Sequence, residues 1–149
     1  MNKPKMLPPT YFYLSLIVMI ALHFLFPVLK IIPSPWNAIG VIFLVVGIVL
    51  SLMADHIFHQ VGTTIKPYIK STSLVTESVF RLSRNPMYLG FTLILAGAAF
   101  LLGSLTPFLV IPFFMVLVEK IFIATEEKML TANFGQTYLN YIERVRRWI

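Results

Sequence analysis

The chain has 149 residues, of which 58% are hydrophobic and only 12% charged, and its mean hydropathy is +0.83. That is too little charge to cover the surface of a soluble domain of this length, so the composition points to one compact unit inside a membrane. Cysteine is absent, which excludes disulfides, thiolate nucleophiles and cysteine-based metal or redox motifs; a formal charge of +6 in so apolar a chain marks a cytoplasmic membrane face rather than a nucleic-acid partner.

Four apolar stretches follow along the chain, at about residues 11–29, 36–54, 86–102 and 107–124. Each approaches the ~20 residues a helix needs to cross the hydrocarbon core, the third only marginally. Backbone groups in lipid must be satisfied within the segment, so all four are predicted helical. Lys3 and Lys5 precede the first run as they would in a signal peptide. The run is too long for an h-region and lacks a small-residue cleavage site, so it is read as a retained span. His23, alone in that span, is expected to be buried between helices and bonded to a carbonyl. Pro112 is expected to kink the fourth span and open a gap in the bundle.

Pro33-Ser34-Pro35 separates the first two spans, and Gly103-Ser104 with Pro107 separates the last two. These connections carry only Lys30, whereas Lys3, Lys5, Lys66, Lys70, Arg81, Arg84, Lys120, Lys128, Arg144, Arg146 and Arg147 fall on the other side. The positive-inside rule then puts both termini, the loop 55–85 and the tail 125–149 in the cytoplasm. Asp55, Glu77, Glu119, Glu126, Glu127 and Glu143 gather at the same face. The expected fold is all-α: a multi-pass bundle of about four transmembrane helices in the lipid bilayer, with a cytoplasmic loop and C-terminal amphipathic helices.

Chemistry must therefore sit in that loop and tail. At the centre of residues 73–90, Asn85-Pro86 suits a helix start, with Asn85 as cap and Pro86 at the first helical position. The start of the third span would present free N–H groups to a carboxylate or phosphate, with Arg84 beside it; the plainer reading is a capped membrane helix with an interfacial arginine and tyrosine. The tail reads as a helix leaving the membrane at Glu126-Glu127, a break at Phe134-Gly135 and a second short helix; there Tyr138, Tyr141 and Val145 share one face, which reads as an amphipathic helix on the membrane surface held by Arg144, Arg146, Arg147 and Trp148. Glu126 and Glu127, just past the fourth span, are placed to reach a ligand shared with the Asn85-Pro86 loop. Glu119 and Lys120 are near enough to the interface to snorkel, although ionisable residues in a span are functional candidates. Asp55, His56 and His59 offer too few ligands for a metal site, and none is expected.

Taken in order, Leu74-Val75-Thr76, Arg84-Asn85-Pro86-Met87-Tyr88-Leu89-Gly90, Glu126-Glu127, Phe134-Gly135, Tyr138, Tyr141 and Val145 through Trp148 resemble the isoprenylcysteine carboxyl methyltransferase family, part of a wider group of membrane methyltransferases that includes the phospholipid methyltransferases. The resemblance runs from His59 onward. It implies S-adenosyl-L-methionine as cofactor, bound at the cytoplasmic face without a dinucleotide-binding domain, in agreement with the lack of a Gly-x-Gly-x-x-Gly run. It also implies cofactor contacts from Ser73, Leu74 and Val75, from Phe80 where relatives often have tyrosine, and from the loop of Asn85, Pro86, Met87 and Tyr88. Glu127, with Glu126, matches the acidic position after the fourth span. Asn85 stands where the eukaryotic enzymes have histidine, and an asparagine hydrogen-bonds but accepts no proton.

Such a cofactor would place its carboxylate on N–H groups near Asn85 or on Arg84, its ammonium or ribose on Glu126 or Glu127, and its adenine among Phe80, Met87 and Tyr88. Its partner would be an apolar or lipid-like methyl acceptor reaching the site from the bilayer. Two rival readings are an NADPH-dependent sterol or isoprenoid reductase, with Lys66, Lys70, Arg81 and Arg84 on the 2′-phosphate, and a non-catalytic four-span subunit.

Overall fold

The computed structural model describes residues 6–62 and 73–149; Lys3, Lys5, Lys66 and Lys70 lie outside the described residues. Helix α1 covers Pro8–Leu25 and ends earlier than its apolar run, because Pro27 has no N–H to continue the ladder. A single 3₁₀ turn, Trp36–Ala38, leads into α2, Ile39–Val61. This helix runs past the expected end at residue 54, so Asp55, His56 and His59 are helical. Nothing in the sequence breaks the helix before Gly62, whose left-handed φ of 64° forms the cap, and Asp55 pairs with His59 one turn on at 3.7 Å. Helix α3, Pro86–Leu102, has the expected limits. Helix α4, Leu105–Val118, passes through Pro112 without ending. It continues through a wide π turn, Glu119–Ile123, into α5, Ala124–Phe134. Gly135, at a φ of 51°, then turns the chain into α6, Gln136–Arg144. The break expected at Phe134-Gly135 is thus present.

The segments Pro8–Leu25, Trp36–Val61 and Leu105–Phe134 are long and apolar enough to cross a membrane, and α3 is a shorter apolar helix. Helices α1, α3 and α4 enclose the main core, in which Met19, Leu95, Ala99, Phe114, Val118 and Phe122 are fully buried. Large apolar side chains such as Ile17, Phe24, Ile42, Leu52, Leu109 and Phe113 point outward, as lipid contact requires.

Helix α2 packs chiefly against α3, and glycine sets how closely. Gly40 faces Gly97 and Gly47 faces Gly90; each pair of positions along a helix is two turns apart, so all four glycines share the interface. A Cβ on Gly47 would stand 2.6 Å from the Gly90 carbonyl oxygen, and one on Gly97 2.6 Å from that of Gly40. Lipid tails offer no hydrophobic drive for helix association, so this backbone approach carries the packing, with Phe43 stacked on Phe100 at 5.1 Å.

At the end remote from most of the charge, the two short connections interlock. The Ile31 and Ile32 N–H groups donate to the Gly103 carbonyl at 2.8 and 3.0 Å, and Leu105 N–H donates to that of Leu29 at 2.9 Å. His23 bonds the Ser104 hydroxyl at 2.7 Å rather than a carbonyl. Past the end of α1, the Phe26 carbonyl accepts from the Val28 N–H at 2.8 Å and from the Thr106 hydroxyl at 3.1 Å. Replacing Gly90 by valine would drive a side chain into the Gly47 backbone and Ser51. It should destabilise the bundle by about 1–3 kcal/mol, read as a lowered unfolding midpoint in detergent, whereas Gly62→Ala meets no neighbouring atom and should cost only the strain of its left-handed backbone, about 1–2 kcal/mol.

Candidate functional site

Three segments separated in sequence meet at the charged end of the bundle: the turn before α3, the start of α5, and the extended tail after α6. Their backbone contacts fix the arrangement. The Arg84 N–H donates to the Arg146 carbonyl at 3.0 Å. The Ser83 hydroxyl and the Asn85 side-chain amide each donate to the Arg147 carbonyl at 3.1 Å, and the Asn85 N–H donates to the Ser83 hydroxyl at 3.1 Å. Asn85 does occupy the position before α3, but its side chain makes no cap hydrogen bond. This corrects the expected side-chain cap: Pro86 removes one of the helix-start donors, and the tail carbonyl takes the asparagine amide instead.

Glu127 is the centre of the charges. Arg147 grips it with two parallel bonds, Nε to Oε1 at 3.0 Å and Nη2 to Oε2 at 2.6 Å, while Arg84 Nη2 meets Oε1 at 3.2 Å. The Arg147 Nη1 also bonds Glu119. Side-chain exposure is 10% for Arg84, 16% for Glu127 and 35% for Arg147, so the pair at the centre is largely withheld from water. Arg84 keeps two buried donors, Nε and Nη1, without a hydrogen-bond partner among the described residues. Hydrogen bonding to Glu127 raises the Arg147 pKa above its ordinary value. Arg147 was expected on the membrane surface with Arg144 and Arg146; its side chain instead turns inward, which no local pattern in the tail signals.

The wide turn at Glu119–Ile123 makes that grip possible. In an uninterrupted α-helix the residue seven positions on returns to the starting face, and the one eight on is turned away. The extra residue in a π turn brings Glu127 round to the face of Glu119, so one guanidinium reaches both. Such turns recur at functional sites. Glu126 is directed elsewhere, accepting from the Tyr88 hydroxyl at 2.8 Å. The Tyr88 ring lies near-parallel to that of Phe122, 6.3 Å away, and Tyr11 meets Phe122 edge-on at 5.4 Å. Phe12 stacks on Phe91 at 4.8 Å. Aromatic rings from α1, α3 and the π turn therefore wall the inner side of the Tyr88–Glu126 pair.

Helix α6 presents its Tyr138, Tyr141 and Val145 face to the protein, against Leu74, Leu130, Phe134 and Ile142. This corrects the expected surface helix: the face is apolar as anticipated, but it packs on Leu74 of the loop and on Leu130 and Phe134 of α5 rather than on lipid. The Tyr141 hydroxyl donates to the Phe80 carbonyl at 2.6 Å, and Phe80 is buried with its ring edge-on to Phe58 at 5.1 Å. Burial pushes Tyr138 up to about 12 and raises Tyr141 as well, so both hold their protons. The Tyr138 hydroxyl lies close to the Arg84 guanidinium without closing a hydrogen bond on Nε or Nη1. Ser73, Leu74, Val75 and Met87 are half-buried, and Pro86 is fully buried. Arg84, Asn85, Tyr88, Glu126 and Glu127 thus form one connected site with Ser83, Glu119 and Arg147, while Phe80, Leu74 and Pro86 pack beneath it.

The comparisons with known proteins agree with this architecture. The profile of the phospholipid methyltransferases matches residues 36–137. A structure of the eukaryotic intramembrane Ras methyltransferase, isoprenylcysteine carboxyl methyltransferase, superposes with a TM-score of 0.69 at 27% identity, covering 95% of this chain and 51% of that one. The chain thus spans about half the length of that enzyme. An uncharacterized protein of Haemophilus influenzae is 36% identical over 63 residues, 42% of this chain and 100% of the relative. With a family match over more than half its length, a membrane bundle of the same fold and the ordered motifs gathered at one end, the chain belongs to the phospholipid methyltransferase family of membrane proteins.

Proposed function

We propose that the chain is an S-adenosyl-L-methionine-dependent methyltransferase acting on an apolar or lipid-like acceptor at the charged end of the bundle. The observation that carries this reading is the buried edge of Arg84, where two guanidinium donors lack a partner among the described residues. Leaving buried donors unmet is costly, and the methionine carboxylate of the cofactor has the chemistry to meet them. Glu126, with Tyr88 as its hydrogen-bond partner among the described residues, suits a ribose hydroxyl or an ammonium. Glu127, already holding two arginines, supports the site rather than contacting the cofactor. Ser73, Val75 and Met87 line the same end, and Asn85 acts through the tail carbonyl it bonds.

When bound, the cofactor supplies a methyl group on a sulfonium, which is electrophilic and already carries a good leaving group. The protein then has to orient an acceptor and exclude water, and alignment accounts for much of the rate. Tyr88, fixed by Glu126, and the wall of Tyr11, Phe12, Phe91 and Phe122 do this on the membrane side. Asn85 itself takes no proton, so an acceptor that attacks in already deprotonated form, such as a carboxylate or a thiolate, suits its position best. We place the site and both termini in the cytoplasm, because the site end carries nearly all the basic residues and the opposite connections carry only Lys30.

Calorimetry on the purified protein in detergent tests the cofactor. Binding is expected in the wild type and should weaken by about tenfold, the scale of one charge-assisted hydrogen bond, in the Glu126→Gln, Tyr88→Phe double variant; absence of binding in the wild type sinks the reading. Orientation is tested separately. With no native cysteine, single cysteines at Ser34 and Glu143 are the sole labelling positions in their variants. In intact cells an impermeant maleimide should label the first and reach the second only after permeabilisation; the reverse pattern inverts the topology.

A further inference from the structure

We propose that Arg147 is a positioning residue of this site: by holding both oxygens of Glu127, it keeps the outer edge of Arg84 open for the carboxylate of the methyl donor. The assignment rests on the function proposed above and concerns a residue that lies within the motif but to which the resemblance gives no part in cofactor binding.

Guanidinium and carboxylate prefer a two-bond, fork-to-fork pairing. Arg84 and Glu127 are close enough for one, yet make only the single Nη2 contact at 3.2 Å. Arg147 has taken the preferred geometry, with bonds of 3.0 and 2.6 Å to the two oxygens. Arg84 is consequently left with Nε and Nη1 buried and without a hydrogen-bond partner among the described residues, a state that would not persist if Glu127 were free. Without Arg147, the relaxation that satisfies most donors is for Arg84 to close its fork on Glu127, and the edge facing the donor site is lost.

The surroundings of Arg147 hold it to this task. Its Nη1 is drawn to Glu119, which the π turn has placed on the face of Glu127. Its carbonyl is bonded by Ser83 and Asn85 at 3.1 Å each, so the turn that carries Arg84 and the tail that carries Arg147 are locked in register. These bonds fix the two backbone segments from which the guanidinium groups project. A residue whose only role was to neutralise charge would need no such fixation.

The test compares two ligands that differ only in the group at issue, S-adenosylmethionine and its decarboxylated form, by calorimetry on the full chain in detergent. The wild type should bind the carboxylated ligand more tightly. Arg147→Gln should lose about tenfold on that ligand, the scale of one charge-assisted bond, and stay within about twofold on the decarboxylated one. Arg147→Lys keeps the charge but not the fork, and should fall between on the carboxylated ligand alone; it also serves if the glutamine variant unfolds, as thermal melting in the same detergent would reveal. Equal losses on both ligands, or no loss on either, overturn the assignment and leave the methyl-donor reading standing. Wild-type protein that binds neither ligand sinks the methyl-donor reading and the assignment with it.

Discussion

A carboxylate largely withdrawn from water and shared by two arginines ties the charged end of this protein together. Glu127 belongs to α5, Arg84 to the turn before α3, and Arg147 to the tail after α6, so one anion joins three segments that are not neighbours in the chain. Withdrawing ions from water is unfavourable, and removing one member of a buried pair typically costs about 3–5 kcal/mol because the other is left uncompensated. Arg147 is over a third exposed, so its own share is smaller. The arrangement is therefore sensitive rather than strongly stabilising, and that suits a binding site better than a core.

The rest of the bundle can be seen as what that ion set requires. The Gly40–Gly97 and Gly47–Gly90 contacts draw α2 onto α3, which leaves the opposite face of α3 free for α1 and α4. The aromatic cluster of Phe12, Tyr88, Phe91 and Phe122 fills the space between them and ends directly beneath Glu126. At the far end, backbone bonds between the two short connections pin α1 to α4. Helix α6 then closes the site from the outside, its tyrosines buried on Leu74 and its tail carbonyls bonded by the turn before α3.

Family membership and the geometry bear on function in different ways. The family match identifies the class of protein, whereas the proposed cofactor and acceptor rest on individual groups: the edge of Arg84 without a partner among the described residues, the Tyr88–Glu126 pair and an asparagine at position 85 that takes no proton. The two acidic residues, equivalent in sequence, are divided by their surroundings. Glu127 is enclosed by arginines, and Glu126 faces the aromatic wall.

The sequence by itself determined the all-helical membrane fold, the limits of α3, the break at Gly135 and the gathering of charge at one end. Those follow from hydropathy, from Pro86 and from a glycine at positive φ, which are local properties of a few adjacent residues. It also marked Arg84, Asn85, Tyr88, Glu126 and Glu127 as belonging together, because in order they resemble the motif of a known family. Only the tertiary structure decided that α2 continues past Asp55, that α6 turns its apolar face inward, and that Asn85 bonds the tail rather than capping α3. The inward turn of Arg147 was likewise beyond local reading. Whether an arginine next to a tryptophan faces lipid headgroups or a carboxylate depends on where Glu119 and Glu127 stand, and that depends on one extra residue in a helical turn whose hydropathy is unremarkable.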